Sequence, residues 1–132
     1  MKLNYKKIFK NARPLAKEVF KDKKKFNKVI DESMELTKDK NIFLEFTKEL
    51  GILFSLSKDY LKGNYKNVKN KDILMVIAGL LYLLNPADIV PDFIVGIGFI
   101  DDLSVITYVF SKLKKILDDY EEWKNNYSNL SF

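Results

Sequence analysis

The 132-residue chain contains no cysteine and no histidine. The first absence excludes disulfides, thiolate metal sites and cysteine nucleophiles together. The second removes the usual proton shuttle of neutral pH and the commonest transition-metal ligand. Any chemistry must rest on Asp, Glu, Lys, Tyr, Ser and Thr, which argues against an ordinary hydrolase. Strict apolar–polar alternation, internal repeats and low-complexity linkers are also missing, so no strand is expected. Residues 1–7 lack the continuous apolar run of a signal peptide. The expected location is therefore the cytoplasm or the cytoplasmic face of a membrane.

What remains is a chain that is 47% hydrophobic, rich in Phe, Leu and Ile. It fits a single helical domain over 1–132 with a modest core and no need of staples. The net charge of +5 is unevenly spread. Residues 1–40 hold thirteen Lys/Arg against six Asp/Glu, whereas residues 71–110 hold one lysine against five aspartates. A basic N-terminal arm beside an acidic, apolar C-terminal half points to an anionic partner, either phospholipid head groups or nucleic acid. The competing explanation is a solvated lysine-rich face. The candidate contacts are Lys6, Lys7, Lys10, Arg13, Lys17, Lys21, Lys24 and Lys25. Nucleic acid ranks last, because the arm has neither interleaved aromatics nor a recognition motif.

Four helical segments are expected. The first covers 13–36, opened by Pro14 in its first turn, with Ala12, Ala16, Val19, Phe26, Ile30 and Met34 at helical spacing and a bend at Lys23-Lys24-Lys25. The second covers 41–61 on a stripe of Phe43, Phe46, Leu50, Leu53 or Phe54, and Tyr60 or Leu61, and Gly63-Asn64 stops it. The third, 72–84, is apolar all round, as a central core helix or a membrane element is. The fourth runs over about 101–125 and buries Leu103, Ile106, Tyr108 or Val109, Phe110, Leu113, Leu117, Tyr120 and Trp123. Tyr82, Tyr120 and Trp123 are better explained by core packing than by ligand stacking. The fold class is all-α, a small four-helix bundle with an irregular Pro/Gly/Asp elbow before its last helix.

That elbow is the most specific feature. Asn85-Pro86-Ala87-Asp88-Ile89-Val90-Pro91-Asp92 and Gly96-Ile97-Gly98-Phe99-Ile100-Asp101-Asp102 set four carboxylates, two prolines and two glycines into the most apolar third of the chain. Local capping accounts for each acid. Asn85 before Pro86 is a good N-cap, Asp88 falls in the turn that follows, Asp92 caps a second turn, and Asp101 or Asp102 caps the final helix. Each cap is worth on the order of 1 kcal/mol. The alternative is a hard-cation site, Mg²⁺ or Ca²⁺, built from Asp88, Asp92, Asp101 and Asp102. The spacing matches no standard calcium loop, so the expected cofactor is none.

Residues 73–87 are fifteen uncharged positions, fewer than the roughly 20 a membrane span needs. Insertion of 73–100 as a hairpin is the alternative to a bundle resting on a membrane. Asp88 and Asp92 are expensive at depth, and the other helices need a buried partner, which favours the bundle.

The block Tyr82-Leu83-Leu84-Asn85-Pro86-Ala87-Asp88-Ile89-Val90-Pro91-Asp92-Phe93, followed by Gly98-Phe99-Ile100-Asp101-Asp102, resembles the bacterial YkvA-like family. Asn85 stands where serine is common in that family. The core motif covers about 73–108. Gly63-Asn64-Tyr65 and the segment 120–123 also look similar, whereas the first 40 residues carry little of the signature. The resemblance implies a domain of unknown function associated with membranes, with no activity or cofactor attached. The motif positions it carries over are Pro86, Asp88, Pro91, Asp92, Gly98, Asp101 and Asp102. The expected function is a non-enzymatic module that binds a protein partner or an anionic membrane surface.

Overall fold

Lys23-Lys24-Lys25 is a helix start rather than a bend within one helix. In the computed structural model, which describes residues 5–38, 41–66, 68–84 and 103–130 and side chains over 12–38, 44–66, 68–84 and 106–126, Asp22 is non-helical. Its Oδ1 accepts hydrogen bonds from the backbone amides of Lys24 (3.0 Å) and Lys25 (3.3 Å). That is the geometry of an N-cap, which satisfies two amides that a helix start otherwise leaves unpaired. The segment expected as one helix is therefore α1 (Tyr5–Lys21) and α2 (Lys23–Lys38). Pro14 lies inside α1 rather than in its first turn, because α1 begins at Tyr5. A proline in a helix interior costs on the order of 3 kcal/mol. The packing of α1 along α4 offsets it.

A short 3-10 helix (Asn41–Phe46) leads into α3 (Thr47–Leu61), followed by α4 (Asn70–Leu84) and α5 (Leu103–Leu130). The described residues form an all-α bundle with no strand. The apolar 72–84 stretch explains itself here. α4 is the central helix, packed by α1, α2 and α5, so Ile73, Val76, Ile77, Leu80, Leu81 and Leu83 are buried on all its sides. Ala12, Ala16 and Val19 of α1 are buried as well, and α1 makes its main contact along α4. Small residues there let two backbones approach closely. On the other flank Gly79 faces α5. A Cβ at that position meets Leu113 Cδ1 at 3.2 Å and Val109 Cγ1 at 3.4 Å.

α3 closes the bundle against α2 and α5. Its end is a Schellman motif: Gly63 has φ +80, its amide donates to the Tyr60 carbonyl (3.1 Å), and the Asn64 amide donates to the Asp59 carbonyl (2.9 Å). The expected Gly63-Asn64 stop is therefore observed with its mechanism. α5 buries Ile106, Val109, Phe110, Leu113, Leu117 and Tyr120, the helical spacing read from the sequence, together with Ile116, which that reading does not include. Trp123 is partly buried at its edge, and the side chain of Leu103 lies outside those described. The helix extends to Leu130, beyond the expected 125.

Candidate functional site

The elbow residues Asn85, Pro86, Asp88, Pro91, Asp92, Gly98, Asp101 and Asp102 lie outside the described residues. Among the described residues there is no group of three or more acids able to hold a metal ion. The other candidate surface, the cationic one, is largely described.

Along α1, Lys6, Lys10, Arg13, Lys17 and Lys21 recur every three or four positions. A helix of 3.6 residues per turn puts them in one longitudinal stripe. Lys7 lies beside it in register. The buried stripe of Ala12, Ala16 and Val19 occupies a different face, and Arg13, Lys17 and Lys21 are exposed. The only acid on α1 is Glu18. At the corner with α2, Lys23, Lys24 and Lys25 are exposed too and fill the first helical turn. Positive charge there opposes the helix dipole, a penalty of about 0.3–1 kcal/mol each at low salt. Among the described residues the ion pairs involve Lys28, Lys38, Lys58, Lys114, Lys115 and Lys124. Arg13, Lys17, Lys21, Lys23, Lys24 and Lys25 take part in none of these.

A second cluster joins two sequence segments that flank the elbow motif. Tyr120 on α5, 2% exposed, donates its phenol proton to Asp59 Oδ2 on α3. Lys124 Nζ donates to the same oxygen at 3.0 Å, and Ser55 Oγ lies 2.5 Å from Tyr120 Oη. The Tyr65 ring lies against both Tyr120 and Trp123, with centroids 5.1 and 4.9 Å apart. Burial pushes the Asp59 carboxyl up. The hydrogen bonds from Tyr120 and Lys124, the Lys124 charge and a hydrogen bond with Asn64 outweigh it and leave the group below its ordinary range. Burial and the bond to Asp59 raise the Tyr120 phenol. A neutral, hydrogen-bonded phenol beside a fully ionised acid makes this a tether between helices.

Sequence reasoning named Tyr120 and Trp123 as packing residues, which they are, but missed Asp59, Ser55 and Lys124. The available signal was register. Asp59 continues the buried Leu53, Leu56 spacing by three, and a carboxylate on a core stripe needs a partner. Tyr82 is buried on α4, away from any surface role.

A family model described as "Protein of unknown function (DUF1232)" matches residues 72–108, which takes in α4, the elbow and the start of α5. The chain is 39% identical over 71 residues to a Bacillus subtilis (strain 168) protein named "Uncharacterized membrane protein YkvA". That match covers 54% of this chain and 67% of the relative. No solved structure matches.

Proposed function

The chain belongs to the YkvA-like family of proteins of unknown function, and from that premise we propose that it is a non-enzymatic module that rests on an anionic membrane surface. The contact is the cationic face of α1 with the first turn of α2. The observation that carries this reading is the exposed stripe of Arg13, Lys17 and Lys21, in register with Lys6 and Lys10. The lysine cluster at the start of α2 supports it, because it opposes the stability of its own helix and still stands there. The name of the Bacillus subtilis relative, a membrane protein, agrees with it.

The reading is attachment to the surface; the alternative, insertion of 73–100 as a hairpin, falls mostly outside the described residues. Among the described residues no helix is long and apolar enough to cross a membrane. α4 is packed by α1, α2 and α5 as the centre of the bundle.

Co-sedimentation with phosphatidylglycerol and phosphatidylcholine vesicles tests the proposal. Each Lys or Arg near an anionic surface contributes about 1 kcal/mol. The triple variant Arg13→Gln, Lys17→Gln, Lys21→Gln is therefore expected to lower affinity for anionic vesicles on the order of a hundredfold. High salt acts in the same direction. Equal binding to neutral vesicles, or no loss in the triple variant, overturns the reading.

A further inference from the structure

A groove of about 440 Å³ runs between the start of α3 and the face of α5, on helices other than those carrying the cationic surface. Its apolar floor is Phe46, Ile52, Phe110 and Leu117, and the Phe46 and Phe110 rings stack there with centroids 5.1 Å apart. Leu44, in the 3-10 helix that precedes α3, is 69% exposed. An exposed leucine two residues before a half-buried groove residue extends the apolar surface outward, as at protein contact sites.

The charged residues of the groove are unbalanced. Among the described residues, Glu45, Glu49, Asp118 and Glu121 line the groove with only Lys48 and Lys114, and Lys114 is already engaged by Asp118 at 3.1 Å. Glu49 Oε2 is shut off from solvent and has no hydrogen-bond partner among the described residues. Leaving such an acceptor unpaired is costly, and positive charge brought into the groove offsets part of that cost through space. The groove residues on α5 span Thr107 to Glu121, about 21 Å at 1.5 Å per residue.

We infer that this groove is a docking site for a basic amphipathic helical segment of a partner protein. Apolar side chains on one face of the segment fill the Phe46, Ile52, Phe110 and Leu117 floor, and its flanking Lys or Arg residues meet Glu45, Glu49 and Glu121. This is the helix-in-groove mode, read by anchors at i, i+3, i+4 and i+7 spacing. Acidic complementarity selects the partner's sign even though this chain as a whole carries +5. A cationic peptide thus has no general electrostatic reason to bind. If the cationic surface on α1 and α2 rests on lipid, as proposed above, the module bridges a membrane and a basic partner.

The test uses the full chain and two fluorescein-labelled peptides of about 14 residues, matching the groove length. Both place leucine at i, i+3, i+4 and i+7; one fills the remaining positions with lysine, the other with glutamate. Fluorescence anisotropy is expected to show saturable binding of the lysine peptide at least tenfold tighter than that of the glutamate peptide, weakening with salt. The pair Glu45→Lys, Glu121→Lys is expected to cost at least tenfold. Leu44→Ser, at a position too exposed to affect folding, is expected to weaken binding severalfold. Circular dichroism establishes that each variant keeps its helix content and Tm. Equal binding of the two peptides, or binding unmoved by both sets of substitutions, overturns the inference. So does light scattering that shows a dimer dissociated by Glu45→Lys, because the occupant is then a second copy of this chain.

Discussion

Tyr120 donates its phenol proton to Asp59, sixty-one residues away in sequence, and the bond fixes the end of α3 to the C-terminal half of α5. Asp59 acts at both of its polar ends. Its main-chain carbonyl accepts the Asn64 amide that closes the Schellman turn, and its carboxylate grips α5 through Tyr120 and Lys124. Cap and tether share one residue, so the helix stop and the helix–helix contact form together.

Tyr120→Phe removes the phenol donor while keeping the ring against Tyr65. A hydrogen bond to a charged group contributes about 1.5–3 kcal/mol, and the expected loss of unfolding free energy is in that range. Lys124→Met is expected to cost less than about 1 kcal/mol, because that side chain is 46% exposed and its ion pair is screened by solvent. Urea denaturation with an unchanged m-value measures both. The double variant Asp59→Asn, Tyr120→Phe is expected to be non-additive by more than about 0.5 kcal/mol, as residues in one network are. A Tyr120→Phe change within about 0.5 kcal/mol of the native chain removes the tether from the account of stability.

The pH profile follows from the same cluster with opposite signs at the two ends. The Asp59 carboxyl is below its ordinary 3.8 in the folded chain. Its contribution is therefore present above about pH 4 and is lost as pH falls through the lowered value. The phenols of Tyr120 and Tyr65 are raised from 10.0, both chiefly by burial. Lys124 is raised from 10.5 by its bond to Asp59. These contributions are present below about pH 10 and are lost as pH rises through the raised values. With no histidine or cysteine in the chain, calorimetry is expected to give a flat Tm from about pH 5 to 9. Below about pH 4 and above about pH 10 the Tm falls, and Asp59→Asn makes the acid limb shallower.

Three glycines separate three physical roles. Gly51, in the interior of α3, is exposed, and a Cβ added there meets nothing within 4 Å. Gly51→Ala is therefore expected to stabilise by about 0.5–1 kcal/mol through helix propensity. Gly63 has φ +80, and Gly63→Ala is expected to cost about 1–2 kcal/mol for the left-handed conformation. Gly79→Ala sets a similar propensity gain against a 3.2 Å approach to Leu113 and is expected to be near neutral. Gly79→Leu overpacks the α4–α5 contact and is expected to cost about 1–3 kcal/mol or more. A urea series on the four variants checks the order.

Periodicity makes most of the bundle legible. Leu50 and Leu53 of α3, most of the buried face of α5, the central place of an all-apolar α4 and the Gly63-Asn64 stop follow from spacing and turn chemistry. Leu56, fully buried on α3, lies off the expected stripe, and Tyr60 and Leu61 on it are only partly buried. The break at Asp22 is harder to see. Ala12, Ala16 and Val19 continue toward Phe26 at nearly helical spacing, and only the cap geometry of Asp22 splits the run. Pro14 misleads because a proline is well placed in a first turn, yet tertiary packing on α4 overrides that preference. The Asp59–Tyr120 tether depends on a pairing across sixty-one positions, which local patterns do not encode. The cationic face is legible residue by residue in the sequence. Its separation from the buried face of α1 needs the helix to start at Tyr5.

The lysines at the start of α2 allow stability and surface binding to be pulled apart. Lys24 and Lys25 donate to Asp22 only through their backbone amides, so changing their side chains leaves the cap intact. Lys24→Glu with Lys25→Glu reverses two charges at the positive end of the helix dipole, where acids stabilise by about 0.3–1 kcal/mol each. A glutamate at 24 also gains an i,i+4 lysine, Lys28, in the favourable order. The double variant is therefore expected to unfold at higher urea while binding anionic vesicles more weakly. Those two changes run in opposite directions, so a loss of binding cannot be ascribed to unfolding. If stability rises and vesicle binding stays the same, the α2 lysines are a solvated surface, and membrane attachment rests on the α1 stripe alone.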